Sequence, residues 1–378
     1  MKKTLVALAA IASMSAFAQS AVTISGSINY GINRSAASPN AQTFGGLKGD
    51  RNVLTFDVTE DLGNGSSVIA KVQSRFNSSS GNAGYANSAN SSEAAAGTTL
   101  FEQTMVGLKS NSMGTVKVGR FTNDLGTYDY STFEDSGYGT NASNAMYGRL
   151  SSQVQYTTPT VSGFTISLIN AKALANAWGN AGGATGGGVT TVINYSTYSA
   201  TGFNNFGAAA ITYANGPLVA QIASIGGLYG DKDTRIGVNY TLSSGTKLYY
   251  GSYKQTGVVG SLLSTMPSTA AYDTPVKYNS SYGWAAHTAT ELGASVPVGQ
   301  FTFRAGYVTS NNDLDTTVSG NGTSKVSKYS LGAEYNLSKR TSIIVQGGKT
   351  SNSTAVVAAG GSIFTQGAAY FAGMQHTF

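Results

Sequence analysis

Along the segment YSLGAEYNL (329–337) the side chains change character at every step, with Tyr329, Leu331, Ala333, Tyr335 and Leu337 on one side and Ser330, Gly332, Glu334 and Asn336 on the other. A period of two is the signature of a β-strand whose faces meet different surroundings. The same alternation sets Val22, Ile24, Ile28 and Tyr30 against Thr23, Ser25, Ser27 and Asn29, and Phe301, Phe303, Ala305 and Tyr307 against Thr302, Arg304 and Gly306. It returns at the end of the chain, where Tyr370, Ala372, Met374 and His376 share a face that leads to Phe378.

Sixteen such segments can be marked, at 22–31, 52–60, 66–76, 100–109, 114–121, 151–158, 163–170, 206–213, 217–226, 233–242, 246–254, 283–296, 300–309, 328–337, 341–349 and 369–378. Their connections alternate. DLGNG, NSMG, PTVS, ANG, SSG, PVG and SKR are short, whereas stretches such as 77–99, 122–150 and 171–205 are long. Tight turns at one end and long loops at the other, with an even number of strands, distinguish a barrel in an outer membrane from a soluble sandwich. Strands of about 9–11 residues also suit a tilted crossing of the hydrocarbon layer. The expected fold is all-β, a 16-stranded antiparallel transmembrane β-barrel.

Composition supports this. Only 11% of the residues are charged, against 48 Gly, 22 Tyr and 15 Phe, so the chain has few charges for a large water-facing surface; a typical soluble domain carries about 25%. Beyond the first 18 positions no run approaches the roughly 20 apolar residues that a helical span requires. Pairing VTISGSINYG with AYFAGMQHTF would leave no open edge and satisfy every backbone group in lipid. Phe378 is therefore the expected closure and assembly residue.

The start, MKKTLVALAAIASMSAFAQS, places Lys2 and Lys3 before an apolar stretch and then Ala16-Phe17-Ala18, the plan of a secretory signal peptide over residues 1–18. The barrel domain is then 19–378. There are no cysteines, so stability comes from closure and burial rather than disulfides. The formal charge is +6, and +4 once Lys2 and Lys3 are removed. That is too small and too scattered for a nucleic-acid binder.

The stretches TEDLGNGSSVIAKVQSRFN (59–77), LFEQTMVGLKSNSMGTVKVGR (100–120) and RLSSQVQYTTPTVSGF (149–164), with the terminal Phe378, resemble the trimeric general porins of Gram-negative outer membranes, especially the beta-proteobacterial group. The resemblance implies three barrels per assembly, each with its own water-filled pore. It also implies a third external loop, here 122–150, that folds inward and sets acids against a basic wall. Its acids Asp129, Glu134 and Asp135 are the expected pore-facing loop charges. Glu102 stands where the family frequently carries an arginine.

Parity assigns the wall. Leu54, Phe56 and Val58 face lipid, so Arg51, Thr55 and Asp57 face inward; Val68, Ala70, Val72 and Phe76 do the same for Lys71, Gln73 and Arg75. Val154 and Tyr156 facing out would put Arg149 on the lumen side. Lys117 has inward parity. Arg120 has outward parity, and reaches the pore only if the chain bends at Gly119, as the resemblance implies. The expected constriction thus sets Arg51, Lys71, Arg75, Arg120 and Arg149 against Asp57, Asp129, Glu134 and Asp135, a moderate anion preference.

Other functions have less to stand on. An enzyme barrel needs a positioned base, and only His287 and His376 exist, the second on the outward face. No metal-ligand spacing or phosphate-binding glycine loop stands out, so no cofactor is implied. A substrate-specific channel with a solute-binding site remains the alternative, and an adhesin barrel is a weaker one. The expected partners are further copies of the chain, outer-membrane lipid and lipopolysaccharide, and small hydrophilic solutes and anions. Small outward residues such as Gly26 and Ala333 would let copies pack closely.

Overall fold

The computed structural model describes residues 21–34, 42–45, 52–76, 78, 101–125, 149–171, 206–226, 232–256, 286–313, 323–352 and 367–378. The strands are β1 (Ala21–Arg34), β2 (Gln42–Gly45), β3 (Asn52–Gly63), β4 (Ser66–Phe76), β5 (Gln103–Ser110) and β6 (Gly114–Thr122). They continue with β7 (Arg149–Thr157), β8 (Phe164–Ala171), β9 (Phe206–Asn215), β10 (Leu218–Gly226), β11 (Lys232–Thr241) and β12 (Lys247–Thr256). The last five are β13 (Ala286–Val298), β14 (Phe301–Asp313), β15 (Thr323–Asn336), β16 (Thr341–Asn352) and β17 (Gly367–Thr377).

Every neighbouring pair from β3 to β17 is antiparallel, and β1 pairs with both β3 and β17 to close the barrel. The sixteen expected strands make the circuit. The short β2 was not expected. It arises because β3 pairs only with the Ala21–Ser27 half of β1, and β2 takes the Gly31–Arg34 part of the same edge.

The short connections are tight in fact. Asn64 and Gly65, between β3 and β4, both have positive φ, at 54° and 72°, the backbone of a two-residue hairpin turn whose twist matches its strands. At the seam, Ser27 pairs with Thr377 and Arg34 with Tyr370. Phe378 continues the pairing: its N–H donates to the Gly26 carbonyl at 3.0 Å and its own carbonyl accepts from the Gly26 N–H at 3.0 Å. A Cβ on Gly26 would lie 2.5 Å from the Phe378 ring, so the ring occupies the space over that glycine.

The outer face is apolar. Val22, Ile24, Val106, Leu108, Val116, Val118, Leu168, Ile222, Leu331, Val345 and Met374 are all exposed. A continuous apolar belt of this kind is a liability in water and a match for lipid.

The inner face is not polar throughout. Ile169, Ala171, Ala210 and Ala223, on β8, β9 and β10, are inward and buried, as are Ile344 and Phe371 on β16 and β17. The first group is flanked by Ser167 and Gln221, which both bond Asp124. The chain just beyond β6 therefore lies beside that part of the wall.

Candidate pore wall

Inward alternation stacks polar side chains from neighbouring strands into a belt. Gln73 Nε2 donates to Thr55 Oγ1 at 2.9 Å, Gln103 Nε2 donates to Gln73 Oε1, and the Thr122 N–H donates to Gln103 Oε1 at 2.9 Å. The belt thus runs from β3 through β4 and β5 to the end of β6.

The expected wall charges lie on this surface in pairs. Lys71 Nζ sits 3.1 Å from Asp57 Oδ1, directly across the β3–β4 register. Arg75 engages Glu102 through both Nη2, at 2.6 Å, and Nε, at 3.1 Å, with side chains only 3% and 10% exposed. Such two-point contact between guanidinium and carboxylate fixes geometry as well as charge. Further round, Arg304 pairs with Glu334 at 3.0 Å. Arg235 lies with its guanidinium 5.5 Å from the Tyr253 ring centre.

The backbone is irregular at Gly119. Gly119 has φ of 130°, and the β6–β7 register slips there: Gly119 pairs with Gln153, but Phe121 pairs with Leu150. On β7 the irregularity falls at Ser152, with φ of 52°. Such a bulge re-aims the side chains around it. Arg120 Nε donates to the Glu102 carbonyl at 3.1 Å, so Arg120 shares Glu102 with Arg75. The bulge also interrupts the alternation that led to Arg149, whose register position is opposite Thr122. Arg51, Asp129, Glu134 and Asp135 lie outside the described residues, as does most of 122–150 and all of 1–18.

The residue that sequence reasoning missed is Asp124. After Thr122 the chain turns against the inner wall, and Phe121, Asn123 and Leu125 are each buried. Asp124 Oδ1 meets Lys117 Nζ at 3.3 Å. Its Oδ2 accepts from Gln155 Nε2, from Thr157 Oγ1 at 3.1 Å and from Ser167 Oγ at 3.2 Å. Its N–H donates to Gln155 Oε1 at 3.3 Å, and its carbonyl accepts from Gln221 Nε2 at 2.9 Å. One residue is thereby tied to β6, β7, β8 and β10. The only signal in the sequence was an acid just past a strand end.

A closed wall of sixteen strands, apolar outside and lined by polar and charged side chains, is a conduit through a membrane. A family model described as Gram-negative porin matches residues 4–355. The chain belongs to the Gram-negative porin family. It is similar to an outer membrane porin of Bordetella pertussis, with 27% identity over 93% of this chain and 95% of that protein. Its fold matches an anion-selective porin from Comamonas acidovorans at a TM-score of 0.63 and 19% identity, covering 95% of this chain and 100% of the other. It also matches the trimer form of OmpT, an outer membrane protein of Vibrio cholerae, at 0.61 and 11% identity, with 95% and 99% covered.

This porin is a multi-pass β-barrel of the outer membrane, and its family consists of channels. The exposed apolar belt meets the hydrocarbon, and the Gln73–Gln103 belt with its ion pairs lies on the inner face.

Proposed function

We propose that this porin is a passive diffusion channel for small hydrophilic solutes and ions, with a moderate preference for anions. The observation that carries the reading is the charge gathered between β3 and β6. Within the linked set there, Lys71, Arg75, Lys117 and Arg120 are joined to Asp57, Glu102 and Asp124, one base more than acids in that set. Charges on a low-dielectric wall focus their field into the opening. The Comamonas protein, which shares the fold, is itself anion-selective.

In this reading Arg51 and Arg149 add to the basic side, and Asp129, Glu134 and Asp135 on the inward-folded segment 122–150 oppose them. Residues 1–18 serve as the export signal, and the working unit is a homotrimer standing in lipid and lipopolysaccharide, as the trimer form of the Vibrio protein supports. The test is the reversal potential across a tenfold potassium chloride gradient, for the parent and for Arg51→Glu combined with Arg149→Glu. An anion-selective parent whose potential moves toward cations in the double variant is expected. A cation-selective parent overturns the reading.

A further inference from the structure

We propose that Asp124 is the positioning residue that pins the root of the third long connection, Asn123–Leu125, to the inner wall, and that its carboxylate offsets the charge of Lys117 at the same point. The inference rests on the channel reading and extends it to a residue that neither the family match nor the sequence pattern assigns.

The geometry is unusual for a segment just past a strand end. A connection leaving β6 could continue outward from Thr122, yet within two residues it is tied to side chains from β6, β7, β8 and β10. Gln155 holds Asp124 from both sides, its amide nitrogen donating to the carboxylate and its carbonyl oxygen accepting from the backbone N–H. Asn123 secures the next turn, its Oδ1 accepting from the Leu125 N–H at 3.2 Å. Gln153 Nε2 donates to the Phe121 carbonyl just before.

A carboxylate suits this place because it offers acceptor sites only. Here it accepts hydrogen bonds from an ammonium, a carboxamide and two hydroxyls. Asparagine in the same position would turn one end of the group into a donor facing donors. Removing the carboxylate leaves Gln155 Nε2 with Thr157 Oγ1 at 3.0 Å and the Thr157 and Ser167 hydroxyls with each other at 3.2 Å, so three donors compete for two acceptors, and an unmet buried donor is costly. The root then has reason to leave the wall and move in the lumen.

The two roles separate experimentally. Lys117→Met removes the charge partner but leaves the bonds to Gln155, Thr157 and Ser167. Asp124→Ala removes both. Thr157→Val with Ser167→Ala removes two donors and leaves both charges. Single channels of each are recorded in planar bilayers, with heat-modifiability on gels as the check that the barrel is closed.

Lys117→Met is expected to give a quiet channel whose reversal potential moves toward cations. Asp124→Ala is expected to give a noisy open current, a broadened conductance distribution and a potential moved toward anions. The Thr157→Val, Ser167→Ala variant should show the noise without the shift, and it decides the question if Asp124→Ala does not fold. Parent-like noise and conductance in a folded Asp124→Ala, or in the double variant when Asp124→Ala is unfolded, overturn the proposal. A parent that conducts no ions would instead overturn the channel reading beneath it.

Discussion

Gly31 and Gly373 stand directly opposite one another across the seam that closes the barrel, and neither has room for a side chain. A Cβ on Gly31 would lie 2.3 Å from the Ala372 carbonyl oxygen, and one on Gly373 would lie 2.4 Å from that of Tyr30 and 2.5 Å from the Phe371 ring. The seam is drawn tight at this pair, with Phe371, 0% exposed, lying over it.

Gly373→Ala should therefore weaken closure, by about 1–3 kcal/mol if the cost is that of ordinary overpacking. The variant is expected to lose its compact form on gels at a lower temperature than the parent. Gly207→Ala is the control, since a Cβ at Gly207 meets nothing within 4 Å. Equal transition temperatures for all three proteins would show that the seam relaxes freely.

Deleting Phe378 removes the reciprocal backbone bonds to Gly26 and empties the space over it. The chain should still be exported but reach the outer membrane at reduced level, because the last strand no longer completes its pairing. Fractionation and heat-modifiability measure this, and parent-like values for both would count against Phe378 as the assembly residue.

Glu102→Gln leaves the Arg75 guanidinium buried without its carboxylate. Breaking a buried pair by removing one partner costs about 3–5 kcal/mol. The variant should unfold at lower denaturant concentration, and its reversal potential should move toward anions because one negative charge is gone. Arg75→Met with Glu102→Met removes both charges and should recover much of the stability. A double variant as weak as the single one would refute the account.

Ion preference should fall as salt rises. The Debye length is about 10 Å at 0.1 M and about 3 Å at 1 M, so wall charges such as Lys71, 29% exposed beside Asp57 at 41%, act over a shrinking part of the opening. Reversal potentials at fixed gradient ratio and increasing mean concentration check this. A preference that does not change with salt would point to a binding site rather than a diffuse field.

The wall was legible because two solvents impose two kinds of residue at every step: Tyr329 against Ser330 and Phe303 against Arg304 need no long-range information. Lys71, Asp57 and Arg75 were placed by that parity alone, and the structure pairs them as neighbouring strands must. The bulge at Ser152 was not legible in the same way, because nothing in the local alternation of β7 marks the extra residue there. Asp124 was illegible for a different reason. Its partner Gln221 is 97 residues away, and no local pattern records a contact between a strand end and the far wall. Ile169 and Phe371 were not legible either, since nothing local in the alternation says why an inner face should carry a buried apolar side chain.

Lys71 and Asp57 pair directly across the β3–β4 register, and Arg304 pairs with Glu334 diagonally across β14–β15, where Glu334 stands opposite Thr302. Shift either hairpin by a single residue and one member of the couple turns to the hydrocarbon, where a lysine or arginine at mid-depth costs about 2–4 kcal/mol. Each couple then acts as a proofreading mark: an assembling sheet one step out of frame carries a charge into oil, and only the correct frame keeps both ends of the couple wet.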